Sequence, residues 1–213
     1  MNREARDLVL ACVLGDGWLG KAGDGGILHC AAQLDYLEWK HKLLRKAGVP
    51  VGPIRWKDNA GFPAYLFRLR VSKWNKLLRY ILYTPSKDYF QPKLLRRLRA
   101  VHLAIWYMDD GGLSQKRRDG VVVANDLILN THTTRENNQV LIDYFVETWG
   151  IRFTQVLNRG KYRLRCGTEE ARKFINLVQP YVEQVPSMAH KLKVKGVHPS
   201  GWKRSAPRKR VKI

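Results

Sequence analysis

The sequence predicts an α+β fold in which one unit of helix, two strands, helix, two strands and helix occurs twice within 213 residues. The first observation is a pair of similar apolar segments, VLACVLGDG at residues 9–17 and LAIWYMDDGG at residues 103–112. Each is long enough for a helix and ends in an acid followed by a glycine, which turns the backbone into the next element. Their alignment places Asp16 against Asp110, 94 residues later.

The second observation is that the hydrophobic periodicity after each segment predicts the same order of elements. The predicted elements are strands in 17–26, 27–32, 54–56 and 65–71 with helices at 34–47 and 73–83, and strands within 112–130, 152–158 and 162–166 with helices at 135–149 and 168–178. We expect Thr168 to cap the last helix. The predicted domains are therefore residues 1–84 and 101–192, joined by a linker with a basic helix at 94–99 and followed by a basic tail at 193–213.

Three further pairs of residues support the duplication. His29 matches His132 at an offset of 103, Arg70 matches Arg165 at 95, and Lys87 matches Lys191 at 104. Offsets that differ by about ten residues are typical of loop insertions in a duplicated unit. Because residues 65–71 alternate between apolar side chains and arginines, we expect each sheet to carry arginines on its free face.

The charge of the chain indicates a polyanionic partner. There are 39 Lys and Arg residues against 18 Asp and Glu, a formal net charge of +21. The charge is spread along the whole chain, which favours DNA or RNA over a membrane surface. No apolar run approaches the length of a membrane span. A ribosomal-type structural protein is an alternative with the same charge.

The three cysteines, Cys12, Cys30 and Cys166, form no CxxC pair. This pattern predicts a reduced, intracellular protein without a structural zinc site, in a prokaryotic cytoplasm or an organelle matrix.

The two acids at the ends of the apolar segments predict a metal site. Small residues such as Ala11, Gly15 and Ala104 allow the two helices to approach closely. The approach would bring Asp16 and Asp110 together, and neighbouring carboxylates repel each other unless a cation lies between them. Hard oxygen ligands of this kind suit Mg²⁺ or Ca²⁺.

With the acids, the lysines and the duplication in hand, the chain resembles a LAGLIDADG homing endonuclease of the single-chain, two-motif type. The resemblance covers residues 8–193, and it includes HCAAQLDYLEWK at 29–40 and LILNTHT at 127–133. It implies a pseudo-symmetric monomer with the two motif helices at its centre. Two four-stranded antiparallel sheets would form a saddle in the major groove of double-stranded DNA.

The resemblance also implies the site residues. Asp16 and Asp110 would bind Mg²⁺, with Mn²⁺ able to substitute and Ca²⁺ binding without supporting cleavage. The predicted metal site also includes Gly15 and Asp109, although Asp109 is equally interpreted as a structural pairing residue. The remaining catalytic candidates are the basic residues Lys87 and Lys191 and the water-network residues His29 and His132. Trp106 and Tyr107 are expected in the core.

Side chains on the free sheet faces and in the turns are the candidates for DNA contact. The strand candidates are Arg55, Lys57, Arg68, Arg70, Arg152, Gln155, Arg163 and Arg165, and the turn candidates are Lys116, Arg117, Arg118, Arg159 and Lys161. The tail carries eight Lys or Arg residues and no acid, and is either a disordered arm or a phosphate clamp.

The predicted function is site-specific cleavage of both DNA strands across the minor groove, leaving short 3′ overhangs and promoting the mobility of an intron or intein. An intron RNA maturase and a non-cleaving DNA-binding regulator are the alternatives on the same fold. Retention of Asp16 and Asp110 together with both lysines favours cleavage.

Overall fold

A computed structural model describes residues 1–20, 27–59, 61–70, 72–83, 90–119 and 121–193. Lys87 and the tail beyond Lys193 lie outside the described residues, as does the side chain of Arg118. The helices are α1 Arg3–Leu14, α2 Leu34–Lys46, α3 Lys73–Tyr83, α4 Pro92–Leu95, α5 Ala100–Asp110, α6 Arg135–Trp149 and α7 Thr168–Val182, followed by a 3-10 helix at Pro186–Leu192. The strands are β1 Trp18–Leu19, β2 Ile27–Ala31, β3 Arg55–Asn59, β4 Phe62–Arg68, β5 Gly111–Arg118, β6 Val121–Thr133, β7 Thr154–Asn158 and β8 Lys161–Cys166.

The strands form two four-stranded sheets with the same topology, β1-β2-β4-β3 and β5-β6-β8-β7. Every pairing between these strands is antiparallel. The predicted duplication of an α+β unit is therefore confirmed. Among the described residues, no helix is both long and apolar enough to cross a membrane.

The two motif helices, α1 and α5, pack against each other between the halves. Their apolar residues are buried around almost the whole circumference, from Leu8 to Leu14 in α1 and from Leu103 to Met108 in α5. A helix that is apolar on all sides belongs in a core. Trp106 and Tyr107 lie in this core, as expected.

The strand registers show which arginines correspond between the halves. Trp18 and Gly112, at equivalent places in the motifs, pair with Leu28 and Ile128. These two partners pair in turn with Arg68 and Arg165. Arg165 therefore corresponds to Arg68, and its predicted match with Arg70 is wrong. Arg70 follows the end of β4.

The same registers separate the two histidines. His29 is the residue after Leu28, so it corresponds to Leu129, the residue after Ile128. His132 lies three residues further along β6 and corresponds to Ala32, which follows the end of β2. The predicted match of His29 with His132 is therefore wrong.

Two local predictions also differ from the structure. The basic helix expected at 94–99 is the single turn α4, which begins at Pro92, and the backbone of Arg99 is extended before α5. Thr168 does not cap α7, which has Gly167 at that position. The Thr168 hydroxyl instead bonds to the backbone of Asn125, so its hydrogen bonds join α7 to β6.

The start of α5 depends on a buried histidine. The Arg99 N–H donates to Nδ1 of His102 at 2.9 Å. Burial, and to a lesser extent the Arg99 guanidinium, lower the pKa of His102 to about 4. Because a protonated imidazole cannot accept this hydrogen bond, the helix start requires neutral His102.

We expect the free energy of unfolding to decrease as the pH falls from about 6.5 towards 4. In this window the unfolded chain binds a proton at His102 that the folded chain does not bind, so acid favours unfolding. His102→Gln keeps an acceptor at the third helical residue and should make this dependence shallower. Urea unfolding at pH 7 and pH 5 measures the change.

The exposed Asn176 provides a control, because Asn176→Gln changes no titratable group and should leave the pH dependence as it is. Burial also lowers the pKa of His29. His29 therefore adds to the loss of stability in acid, and its contribution remains in His102→Gln. Identical slopes for His102→Gln and the unmodified protein would contradict the assignment.

Candidate active site

Asp16 and Asp110 line one cleft of about 460 Å³ at the ends of the two motif helices. The structure therefore brings together the two acids that the motif alignment pairs. Apolar and aromatic residues around them come from the two motif helices, from β1, from the end of α3 and from Phe90. Polar residues come from the second sheet, namely Asn130, Thr131, His132 and Lys161.

Close contact between the helix ends depends on a glycine. The Asp16 N–H donates to Oδ2 of Asp109 at 3.2 Å, and Asp109 directly precedes Asp110 in the chain. A Cβ atom on Gly15 would lie 2.2 Å from the same Oδ2 atom. Any larger residue at position 15 would therefore force the two motif ends apart.

The donor chemistry of the cleft fits a hard divalent cation. Asp16 is exposed and Asp110 is half-buried, and carboxylate oxygens are preferred ligands of Mg²⁺. Within the described ranges, no group of three or more His, Cys, Asp or Glu residues is arranged to hold a metal. Two protein carboxylates with water and phosphate oxygens are the usual surroundings of Mg²⁺ at a phosphate substrate. Gly15 lines the same cleft, and its role at the metal stays a prediction.

Asp109 has a different environment from its neighbour. Its carboxylate accepts hydrogen bonds from Lys40 Nζ at 2.8 and 3.0 Å and from the Tyr36 hydroxyl at 2.6 Å. The side chains of Lys40 and Asp109 are only 2% and 1% exposed. These contacts contradict the expected metal-ligand role of Asp109 and agree with its interpretation as a structural pairing residue.

Lys191 binds the end of the second motif helix. Its ammonium group donates to the carbonyl oxygens of Tyr107, Met108 and Gly111, and the Tyr107 hydroxyl donates to the Lys191 carbonyl. A cation stabilises the carbonyl end of a helix. Burial lowers the pKa of Lys191, whereas the nearby carboxylates, including Asp110, act to raise it. The 3-10 helix thus holds a lysine beside Asp110.

The two histidines lie in different surroundings. His29 is 1% exposed and stacks on Phe67 with ring centroids 4.9 Å apart. Its ring nitrogens have no hydrogen-bond partner among the described residues, and burial lowers its pKa well below the usual value. His29 is therefore enclosed in the core, and its place in a water network stays a prediction.

His132 is exposed and lines the cleft with the two acids. Its φ angle of 47° lies in the left-handed region, which non-glycine residues rarely adopt. Its catalytic role stays a prediction.

Basic side chains occupy the outer face of both sheets, opposite the helices. Phe67 and Leu164 are fully buried, which identifies the inner face of β4 and β8. Residues of opposite parity, and the residues paired with them, face outwards. The predicted DNA-contact residues on this outer face are Arg55, Lys57, Arg68, Lys116, Arg163 and Arg165.

Several other predicted DNA contacts lie elsewhere. Gln155 pairs with buried Leu164 and therefore lies on the inner face, so its prediction as a base-reading residue is wrong. Arg152 precedes β7 rather than lying in it, and both its backbone N–H and its guanidinium contact Glu170. Of these two predicted strand residues of the free face, only Gln155 lies in a strand, and its side chain faces inwards.

The predicted turn residues are divided between turns and strands. Arg117 lies in β5 and donates to Gln115, and the backbone of Arg118 belongs to the same strand. Arg159 occupies a turn with a φ angle of 50°. Lys161, two residues later, is the first residue of β8. Lys161 lines the cleft that also contains Asp16 and Asp110.

Sequence reasoning missed two sets of residues. Lys40 and Tyr36 lie in the predicted helix at 34–47, and neither is among the predicted site residues. Lys40 shares the buried face of this helix with Leu37 and Leu44, and a lysine on an apolar face indicates a buried acidic partner. Asp126 was also missed. On the outer face its carboxylate contacts Arg165 at 2.8 Å and Lys116 at 3.0 Å.

We expect Lys40→Met to lower the free energy of unfolding by about 3–5 kcal/mol, because it leaves the Asp109 carboxylate buried without its cation. Arg96→Met is the matched control. It removes an ion pair with Glu147 in which both side chains are largely exposed, and the expected change is about 0.5 kcal/mol or less. Urea titration monitored by tryptophan fluorescence measures both. If Lys40→Met lowers the free energy of unfolding by as little as Arg96→Met, the buried pair is not important for stability.

Comparison with known proteins agrees with this fold. Residues 6–174 match the model of the LAGLIDADG DNA endonuclease family. A protein RecA of Mycobacterium shimoidei is 29% identical over 201 residues, which cover 87% of this chain and 45% of that protein. A probable intron-encoded DNA endonuclease 3 of Mycosarcoma maydis is 28% identical over 102 residues, covering 46% of this chain and 67% of that protein. The chain thus spans less than half the length of the RecA relative.

A similar solved structure is that of the homing endonuclease I-WcaI bound to its DNA recognition sequence. The TM-score is 0.72 at 21% sequence identity, and the match covers 92% of this chain and 88% of that chain. This likeness shows a shared fold. Together with the family match over most of the sequence, it shows that the chain belongs to the LAGLIDADG DNA endonuclease family.

Proposed function

We propose that this protein is a monomeric, sequence-specific endonuclease that cuts both strands of double-stranded DNA. The observation that carries the proposal is the cleft in which Asp16 and Asp110, one from each half, lie between two basic sheet faces. A duplicated unit with one acid per half suits a duplex, whose two strands are related by a local twofold axis. DNA held on the outer faces would present its minor groove to the cleft.

Asp16 and Asp110 would hold Mg²⁺. Mn²⁺ would substitute for it, and Ca²⁺ would bind without supporting cleavage. When bound, such an ion would supply an activated water and would stabilise the leaving 3′ oxygen. Lys191 adds positive charge beside Asp110, where negative charge develops on the phosphate. Lys87 is the proposed counterpart of Lys191 in the first half.

Residues of the second sheet would complete one side of the reaction centre. His132 and Lys161 are exposed at the cleft and offer donors to a phosphate. Each half would act on one strand, and cleavage across the minor groove would leave short 3′ overhangs. Among the similar proteins, one is named for intron encoding, which supports a role in intron or intein mobility.

Sequence would be read by the outer sheet faces in the major groove. The Arg165 guanidinium is fixed by Asp126 in an ion pair at 2.8 Å. An arginine held in one orientation is suited to bidentate contact with guanine. Arg68, at the corresponding register position, would contact the related base pair of the other half-site. The I-WcaI structure, which contains its DNA recognition sequence, supports duplex DNA as the partner.

The alternatives are an intron RNA maturase and a non-cleaving DNA-binding regulator. Neither would require two carboxylates at a shared cleft, and neither is favoured by a contact in the structure.

We expect Asp16→Asn and Asp110→Asn each to slow cleavage by about 100-fold or more, because each removes a ligand of the divalent ion. The assay is cleavage of a plasmid library with Mg²⁺ or Mn²⁺, followed by sequencing of the ends. Asp143→Asn, on the exposed side of α6, is the control that should cut normally. Cleavage that continues at the normal rate in both motif variants would contradict the proposed reaction centre.

Arg165→Ala should relax the base preference at one position of the target by about 1–3 kcal/mol, because one base contact is lost. Arg172→Ala, an exposed helical arginine, should leave the preference unchanged. Selection of bound sequences from a randomised duplex pool compares the two variants. Uniform weakening on all sequences would instead assign Arg165 to the phosphate backbone.

A further inference from the structure

We propose that Asp109 is a positioning residue for Asp16, and that Lys40 and Tyr36 hold Asp109 in place for this purpose. Asp109 belongs to the second half of the molecule, whereas Asp16, Tyr36 and Lys40, which donate hydrogen bonds to its carboxylate, belong to the first. The expected effect on catalysis rests on the proposed endonuclease function. The hydrogen bond by which Asp109 positions Asp16 does not depend on that function.

The two motif helices end differently. Helix α5 continues through Asp110, but α1 ends at Leu14 and Gly15 has a φ of −89° and a ψ of −135°, outside the helical region. Asp16 therefore lies beyond the regular hydrogen bonding of its helix. Its N–H donates across the interface to Oδ2 of Asp109. A carboxylate from one motif thus binds the backbone of the acid in the other.

Asp109 is held firmly enough to serve as this acceptor. Lys40 contacts both of its oxygens, and the Tyr36 hydroxyl donates to Oδ1. The Lys40 ammonium also lies 4.4 Å from the centre of the Tyr36 ring. The neighbouring Cys12 thiol and His29 ring are both neutral, since burial raises the pKa of Cys12 to about 12 and lowers that of His29. The charges of Lys40 and Asp109 therefore balance within the core.

The other half fills the equivalent places without charge. The buried row of residues 37, 40 and 44 in α2 corresponds to the buried row 138, 141 and 145 in α6. Leu141 thus stands where the first half has Lys40, and Gly15 stands where the second motif has Asp109. Apolar replacement of a buried ion pair is often neutral for stability. Helix packing alone does not account for the pair, whereas the bond to Asp16 does.

The test compares two double variants, Lys40→Met/Asp109→Asn and Lys40→Met/Asp109→Ala. Both lack the ion pair, but only the first keeps a side-chain oxygen at position 109. In the alanine variant we expect fast hydrogen exchange at the Asp16 amide and Ca²⁺ binding about 10- to 100-fold weaker than in the unmodified protein. The asparagine variant should keep slow exchange and near-normal binding. Their melting temperatures should be similar.

Equal exchange rates at Asp16 in the two double variants, with equal Ca²⁺ affinities, would overturn the proposal. Asp7→Asn is the control for general destabilisation, because it breaks a buried pair with Arg97 near the far end of α1 and should leave exchange at Asp16 unchanged. If the double variants do not fold, Tyr36→Phe removes one donor to Asp109 without a change of charge. Faster exchange at Asp16 is expected there, and unchanged exchange would overturn the proposal.

Failure of the proposed function gives a different result. An unmodified protein that cuts no member of a DNA library with Mg²⁺ or Mn²⁺ would remove the endonuclease assignment. The exchange measurement at Asp16 would still decide the positioning role, because it requires neither metal nor DNA.

Discussion

The fold depends on the close packing of the two motif helices. Their ends can meet only because Gly15 leaves room for the Asp109 carboxylate, at a point where a Cβ atom would lie 2.2 Å from Oδ2. This contact sets how closely the two helix ends approach each other, and with them Asp16, which lies beyond the end of α1, and Asp110, the last residue of α5. The two sheets extend from those helix ends. The packing of the helices therefore also determines how the basic outer faces of the sheets are oriented relative to each other.

The molecule is pseudo-symmetric in its backbone but not in its polar interactions. The second half supplies the cleft with Asn130, Thr131, His132 and Lys161. The first half supplies the core with the Lys40–Asp109 ion pair and with a buried histidine in the place of Leu129. Because the two halves are separate segments of one chain, a substitution in one half leaves the other half unchanged.

Charge is used in three different ways in this chain. On the outer sheet faces it is exposed and available to a polyanion, with Asp126 ordering two of the basic side chains. At the end of α5 the Lys191 ammonium binds helix carbonyls beside Asp110. In the core the Lys40–Asp109 ion pair is enclosed, which is costly unless each charge has several partners. Only the first of these uses follows from the net charge of +21.

The sequence by itself determined the duplicated order of elements, the central motif helices, the pairing of Asp16 with Asp110 and the basic outer faces. These features follow from local periodicity and from a repeat spaced at the length of one unit. The tertiary structure decided which polar residues serve the cleft. His29 and Gln155 proved to face inwards, because a shift of one residue in a strand moves a side chain to the opposite face and loop lengths hide that shift. Asp109 could be told from Asp110 only by its partner Lys40, which is 69 residues away in the chain and adjacent in space.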